Sequence, residues 1–214
     1  ASSRFAPGHR WGNFGSVGLA WLMSKEAFLS GADWINTLKL KASYGLQGND
    51  NLGSYYPYAD QYTHSYNEET KEYSVTMSYK GNEELTWESS HSLNAGLDFE
   101  LFDSRLSGSF EIFNRITSDL LYSKEVPLSS GNPTGFVPIN VGSISNKGFE
   151  LVLNYDIIKT QNILWSANAN LSHYKNTILS LDESVSETGI KGSTRIYKVG
   201  GSLYESYLRK YAGV

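Results

Sequence analysis

The feature that most constrains this chain is the alternation running from Trp87 to Tyr122. In its first limb Leu93, Ala95, Leu97, Phe99 and Leu101 fall on one face, and Ser92, Asn94, Gly96, Asp98 and Glu100 on the other. A period of two belongs to a β-strand, because successive side chains of a strand point to opposite sides. After a polar turn, Phe102-Asp103-Ser104-Arg105, the pattern resumes with Leu106, Phe110, Ile112 and Ile116 against Ser107, Ser109, Glu111, Arg115 and Thr117. The stretch predicts a long hairpin, apolar on one side and polar to charged on the other. The apolar side must be covered, by a second protein layer or by lipid, and the choice decides what the chain does.

The same rhythm recurs. Val17, Leu19, Trp21 and Met23 alternate with Ser16, Gly18, Ala20 and Leu22; Leu38, Leu40, Ala42, Tyr44 and Leu46 oppose Lys39, Lys41, Ser43, Gly45 and Gln47. Phe149, Leu151, Leu153, Tyr155 and Ile157 oppose Glu150, Val152, Asn154 and Asp156, and Trp165, Ala167, Ala169 and Leu171 face away from Ser166, Asn168, Asn170 and Ser172. A further strand is expected to begin within Arg195 to Tyr204, and Val75 to Tyr79 reads as a short strand inside a long connection. Residues 25–33, 102–105 and 159–162 form short connections, while 48–84, 123–147 and 181–194 form long ones. Short and long alternate, which puts every long connection on one side of the sheet, as in outer-membrane barrels.

Strands of about ten residues suit a tilted crossing of a hydrocarbon layer, whereas sandwich strands run nearer five or six. Aromatic positions suggest two girdles: Trp21, Trp34, Phe99, Tyr155 and Trp165 beside the short turns, and Trp11, Trp87, Tyr122 and Tyr174 at the far ends. These features favour an all-β, antiparallel transmembrane barrel segment. The alternative is a soluble or surface-attached β-sandwich that binds carbohydrate through its aromatic loops.

Composition removes other classes. The net charge of −4, without a basic cluster, argues against nucleic acid as partner. No cysteine is present, so neither disulfides nor thiolate chemistry is available. No run reaches the roughly 18 to 20 apolar residues of a spanning helix, which leaves strand-crossing proteins untouched. His9, His64, His91 and His173 are scattered, with no metal-ligand spacing, and no nucleophile elbow or phosphate loop occurs. The carboxylates Asp98, Glu100, Glu111, Glu150 and Asp156 stand on polar strand faces, with Lys39, Lys41 and Arg115 available to pair with them. They fit the wall of a water-filled lumen better than an acid and base for glycoside hydrolysis. No enzyme chemistry and no cofactor is therefore expected. The acidic loop residues Asp50, Glu68, Glu69, Glu83 and Glu84 offer oxygen ligands to calcium, though without ligand spacing.

Several phrases resemble one family, the SusC/RagA-type TonB-dependent transporters of the outer membrane of Bacteroidetes-like bacteria. They are R-W-G-N-F-G-S-V-G-L-A-W at Arg10 to Trp21, L-K-L-K-A-S-Y-G-L-Q-G-N at Leu38 to Asn49, and L-T-W-E-S-S-H-S-L-N-A-G-L-D-F at Leu85 to Phe99. N-V-G-S-I-S-N-K-G-F-E-L at Asn140 to Leu151 and K-Y-A-G-V at Lys210 to Val214 complete the set. The resemblance spans nearly the whole chain. It implies that residues 1–214 are roughly seven strands of a large plugged barrel of about 22, with the plug domain and closing strands absent from this chain. The implied activity is TonB-driven import of an oligosaccharide or peptide beneath a SusD-like surface lipoprotein that acts as a lid. On that footing Tyr55, Tyr56, Tyr58, Tyr62, Tyr66, Tyr73 and Tyr79, in the tyrosine-rich connection, are the expected contacts to substrate or lid. Lys39, Lys41, Asp98, Glu100, Glu111, Arg115, Glu150 and Asp156 are the expected lumen-facing groups.

Overall fold

The computed structural model describes residues 1–182, 187–209, 211 and 213. Part of the 181–194 connection and of the Lys210 to Val214 phrase lies outside them. Ten strands are described: β1 (Gly15–Leu22), β2 (Ile35–Asn49), β3 (Gln61–Asn67), β4 (Glu72–Tyr79), β5 (Glu88–Leu101), β6 (Leu106–Glu125), β7 (Phe136–Lys159), β8 (Leu164–Ser180), β9 (Ile190–Lys191) and β10 (Ile196–Tyr197). Six form one antiparallel meander in the order β1-β2-β5-β6-β7-β8; β3–β4 and β9–β10 are separate two-stranded ribbons.

Register converts alternation into faces, since partners across a ladder share a side. Trp21, Leu40, Leu97, Phe110, Leu151 and Leu171 make one cross-sheet row; one residue along each strand, Ala20, Lys41, Gly96, Glu111, Glu150 and Ser172 make a row on the opposite side. Neither small ribbon lies on the apolar face, and its side chains are open: Leu19 is 75% exposed and Leu171 57%. A sandwich would bury these groups. The sheet instead presents a continuous greasy surface whose strands of 14 to 24 residues, from β2 to β8, exceed what a bilayer crossing needs.

The short turns lie together at the lower edge. Phe102, Asp103 and Ser104 all take positive φ (55–58°), a strained run that external bonds hold. The Phe102 amide donates to the Trp34 carbonyl (2.8 Å) and the Ser104 amide to Asn36 Oδ1 (3.0 Å). Trp34 stacks on Phe102 (5.7 Å), and Trp21 meets Phe28 (6.1 Å). Together with Phe99, Tyr155 and Trp165, which share the apolar side, they form the lower girdle.

The upper edge departs from expectation. The connection expected at 123–147 shrinks to residues 126–135, because β6 runs to Glu125 and β7 starts at Phe136. Pro138 does not break β7: β8 joins only at Ser143, so Pro138 sits where one edge of β7 is unpaired and a missing N–H is tolerated. The upper girdle is not a ring. Tyr174 pairs with Gly148 in a polar-face row, Trp11 lies outside the strands, and Trp87 packs between Phe5 (5.3 Å) and Phe14 (5.1 Å). Through Phe5, which is fully buried, Trp87 ties the N-terminal segment to the chain just before β5.

Tyr122 is displaced by a kink. Asp119 and Gly142 face each other across the β6–β7 ladder, both with φ of 55°. A left-handed residue in each strand re-aims the side chains beyond it, as a bulge does. Leu120, Tyr122 and Val141 therefore line one cavity with Ile144 and Ile178, which follow the polar-face parity below the kink. Asn140 secures the site by imitating a strand residue: its side-chain oxygen accepts from the Thr86 amide (2.9 Å) and its nitrogen donates to the Thr86 carbonyl (3.0 Å). The strand expected in Arg195 to Tyr204 is reduced to β10 and one bridge, Arg195 to Ser206, because the chain turns at Gly200, with φ of 83°. Among the described residues six strands make the main sheet, against the roughly seven expected.

Candidate functional site

Two constellations follow from this frame, one on the polar face and one above it. All eight residues expected on the lumen side share that face in the register, but only some meet. Lys41 stands opposite Gly96, and Gly96 opposite Glu111. A Cβ on Gly96 would lie 2.7 Å from Lys41 Cε and 2.9 Å from Glu111 Cγ. The glycine thus leaves open the passage by which the lysine crosses β5. Lys41 Nζ reaches Asp98 Oδ1 at 2.9 Å and is hydrogen-bonded to Glu111 as well. Glu150 continues the same row.

The other members make local bonds. Arg115 Nη2 donates to Ser90 Oγ (3.3 Å), which itself bonds Thr117 (2.8 Å); Thr37 donates to Glu100 (3.2 Å); Ser166 donates to Asp156 (2.8 Å) near the lower turn. Lys39 pairs in register with Asp98. With Asn94 donating to Ser43 (3.2 Å), the face is a field of hydroxyls, amides and charges partly open to water. It is suited to wetting and to weak reversible contacts, and it presents no nucleophile with an oriented base.

The tyrosine-rich connection is ordered by the β3–β4 hairpin. Asn67 accepts from the Glu69 amide (2.9 Å) and the Thr70 amide (3.3 Å), which places Glu68 and Glu69 in a solvated turn. Register sets Tyr62 against Met77, His64 against Val75 and Tyr66 against Tyr73 on one side, with Thr63, Ser65, Ser74 and Thr76 on the other. The Tyr66 and Tyr73 rings lie 4.8 Å apart. The hairpin thus gathers Tyr62, Tyr66 and Tyr73, while the rest separate: Tyr55 lies under the Arg4 guanidinium (5.8 Å), and Tyr79 donates to the Pro57 carbonyl (3.3 Å). Burial pushes the Tyr79 phenol up. Tyr56 and Tyr58 stay in the preceding loop. His64, Val75 and Met77 were not expected in this surface, although the two-residue spacing of Tyr62-His64-Tyr66 and Tyr73-Val75-Met77 carries the signal.

The hairpin base is clamped electrostatically. Lys80 Nζ lies 2.8 Å from Asp60, whose second oxygen accepts from the Gly81 amide (2.9 Å). The Lys80 ammonium and that amide hold the Asp60 carboxyl below its usual range, and Asp60 raises Lys80. Asp50 accepts from the Ser2 hydroxyl (2.6 Å), far in sequence from the other acidic loop residues. Among the described residues no three His, Asp or Glu side chains gather to hold a metal.

An antiparallel meander with one lipid-compatible face, one wet face and all long loops at one edge defines a wall of an outer-membrane β-barrel. Residues 2–205 match the family described as "TonB dependent receptor-like, beta-barrel", and the chain belongs to it. It is 34% identical over its whole length to the TonB-dependent receptor P39 of Formosa agariphila, covering 20% of that protein. It is 33% identical over 84% of its length to the TonB-dependent receptor SusC of Bacteroides thetaiotaomicron, covering 18%. Among solved structures it superposes on the RagAB peptide importer in the closed-closed state with a TM-score of 0.82 at 28% identity, over 92% of this chain and 21% of that one. The open-open state gives 0.80 at 29% identity. The chain therefore spans about a fifth of the length of the relatives it matches.

Proposed function

We propose that this chain is part of the barrel wall of an energy-coupled importer for a nutrient too large for porins, an oligosaccharide or a peptide. Residues 1–214 then all belong to the barrel domain, and a plug, the segment that engages the TonB complex and the strands completing the barrel lie elsewhere in the protein. The observation that carries this is the two-sided sheet: the row through Leu97 meets lipid, and the row through Lys41 and Glu111 meets a watery interior or the plug. Movement of the plug under force, without covalent chemistry or a cofactor, is the mechanism.

A SusD-like surface lipoprotein serves as lid, and the face bearing Tyr62, Tyr66 and Tyr73 is its contact or the substrate's. Tyrosine supplies apolar area and a hydroxyl at low entropic cost. The test uses the full-length receptor in its own outer membrane. Deleting its gene, or the TonB gene, is expected to abolish uptake of the same labelled nutrient; full uptake without TonB would overturn the proposal. Serine at positions 62, 66 and 73 together should leave barrel assembly intact while reducing recovery of the lipoprotein with the receptor.

A further inference from the structure

We infer that the cavity at the upper end of the polar face is a ligand subsite that takes an apolar peptide residue with a carboxylate beside it. This rests on the import reading and specifies its substrate class. The cavity has a volume of about 370 Å³, within the size range of small-ligand pockets and room for one or two side chains. Its walls include Tyr122, Val141, Ile178 and Leu203, with Arg195 and Tyr204 at one side. Below it the same face is mostly hydroxyl, amide and charge, with Phe113, Val152 and Tyr174 set singly among them, whereas here apolar side chains gather into one lining.

The cavity is built. Gly142 takes a left-handed φ of 55°, and a Cβ there would fall 2.0 Å from the Ser180 carbonyl oxygen, so the kink that turns Val141 and Tyr122 inward needs glycine. The far wall is tied to β8 by backbone: the Gly200 amide donates to the Ile178 carbonyl, the Ile178 amide to the Gly201 carbonyl and the Leu203 amide to Asn176 Oδ1, each at 2.8 Å. Ile178 is 1% exposed and Val141 7%, so the floor is fixed before any ligand arrives.

The lining selects the occupant. A sugar placed here would bring hydroxyls against Val141, Ile178 and Leu203, which accept and donate nothing, and unpaired buried hydroxyls are costly. An aliphatic or aromatic side chain meets no such penalty. Arg195 is the charged residue among those lining the cavity; its guanidinium lies 5.5 Å from the Tyr204 ring, and no carboxylate among the described residues pairs with it. A guanidinium beside an apolar hole complements a carboxylate next to an apolar group, as at a peptide's carboxyl end.

The experiment uses purified full-length receptor and three fluorescent dodecapeptides that differ only at the last position: phenylalanine with a free carboxylate, phenylalanine amide, and serine with a free carboxylate. Maltoheptaose serves as the sugar probe. Binding is read by anisotropy for wild type, R195Q and the cavity-filling L203W, with barrel assembly checked by heat-modifiable migration. The phenylalanine acid is expected to bind about tenfold more tightly than either comparison peptide, the scale of one pocket-filling group or one charge-assisted bond. R195Q should lower its affinity to that of the amide and leave the amide's unchanged; L203W should remove the preference for phenylalanine over serine. Equal binding of all three peptides, or variants that bind like wild type, overturns the subsite. So does binding of maltoheptaose alone, while leaving import standing. Abolition of uptake by TonB deletion tests import separately, because the binding assay needs no TonB.

Discussion

The lower and upper halves of this sheet obey different rules. Below the level of Ser89 and Ser118 the ladders keep the period of two, apart from register shifts at Ile35–Thr37 and Asp156–Ile158 beside the short turns. Above it, left-handed residues at Asp119 and Gly142 rotate the β6–β7 extension, and Tyr122 moves from the side its parity assigns to the wall of a cavity. The lower half needs only a two-sided slab, which alternation alone specifies. The upper half closes a cavity instead, and it does so with local exceptions to alternation.

The difference is broken most severely by charging the slab. Leu97 and Leu153 sit on the apolar face, and arginine at either position is expected to cost about 2–4 kcal/mol if the site lies near the bilayer midplane. The full-length receptor carrying L97R or L153R should fail to reach the heat-modifiable barrel form, while N94R, three residues along β5 on the wet face, should assemble. Normal assembly of both leucine variants would remove the lipid assignment.

The second prediction tests the upper half. G142V forces a β-branched residue into a left-handed conformation, a cost of about 1–2 kcal/mol before the contact with Ser180 is counted. Gly53 has a similar φ of 70° with nothing within 4 Å of its missing Cβ. G53A should therefore show the conformational cost alone. Thermal unfolding of the full receptor in detergent should rank G142V clearly below G53A; equal midpoints would mean the kink is not held by close packing.

This contrast also explains what could be read from the chain. Leu97 and Glu111 were assignable because nothing between Leu93 and Ile116 except one turn disturbs the period of two. The role of Gly96 was hidden, since it appears only when register lays Lys41, Gly96 and Glu111 side by side. Asp119 gave no warning: a left-handed aspartate lacks the glycine that normally marks the conformation, so Tyr122 was placed in a girdle it does not join. Pro138 misled in the opposite direction, suggesting a loop where an unpaired strand edge accommodates it. In the tyrosine-rich connection Val75 to Tyr79 was visible as a strand. The pairing that gathers Tyr62, Tyr66 and Tyr73, and leaves Tyr55 and Tyr79 elsewhere, depended on the Asn67 turn.

A third, smaller effect concerns the wet face. Lys41 neutralises two carboxylates, and K41M leaves Asp98 and Glu111 facing each other. Because these groups are about one-third exposed, with side-chain exposures of 33–40%, water screens the loss and the expected cost is roughly 1 kcal/mol or less. Adding E111Q to K41M should recover part of it, since one of the two unpaired charges is gone. Additive losses in the double mutant would show that Lys41 acts on each carboxylate alone.

The smallest expected effect lies in the loop hairpin, where the Asp60–Lys80 clamp makes order depend on pH. Asp60 is held below its ordinary carboxylate value by Lys80 and the Gly81 amide, so its contribution is present above that value and fades as acid protonates it. Lys80 is raised, so its contribution is complete below its ordinary range and fades only as alkali deprotonates it. The clamp therefore operates between about pH 4 and about pH 10, the model-peptide limits of the two groups. Hydrogen exchange at the Gly81 amide reports it directly, because that N–H donates to Asp60. After correction for the intrinsic pH dependence of exchange, its protection should fall as pH drops through the carboxylate range. D60N should flatten that fall without altering protection at Leu97 in the sheet. A matching fall at Leu97 would mean that the hairpin and the slab open together, and the two halves would then not be independent.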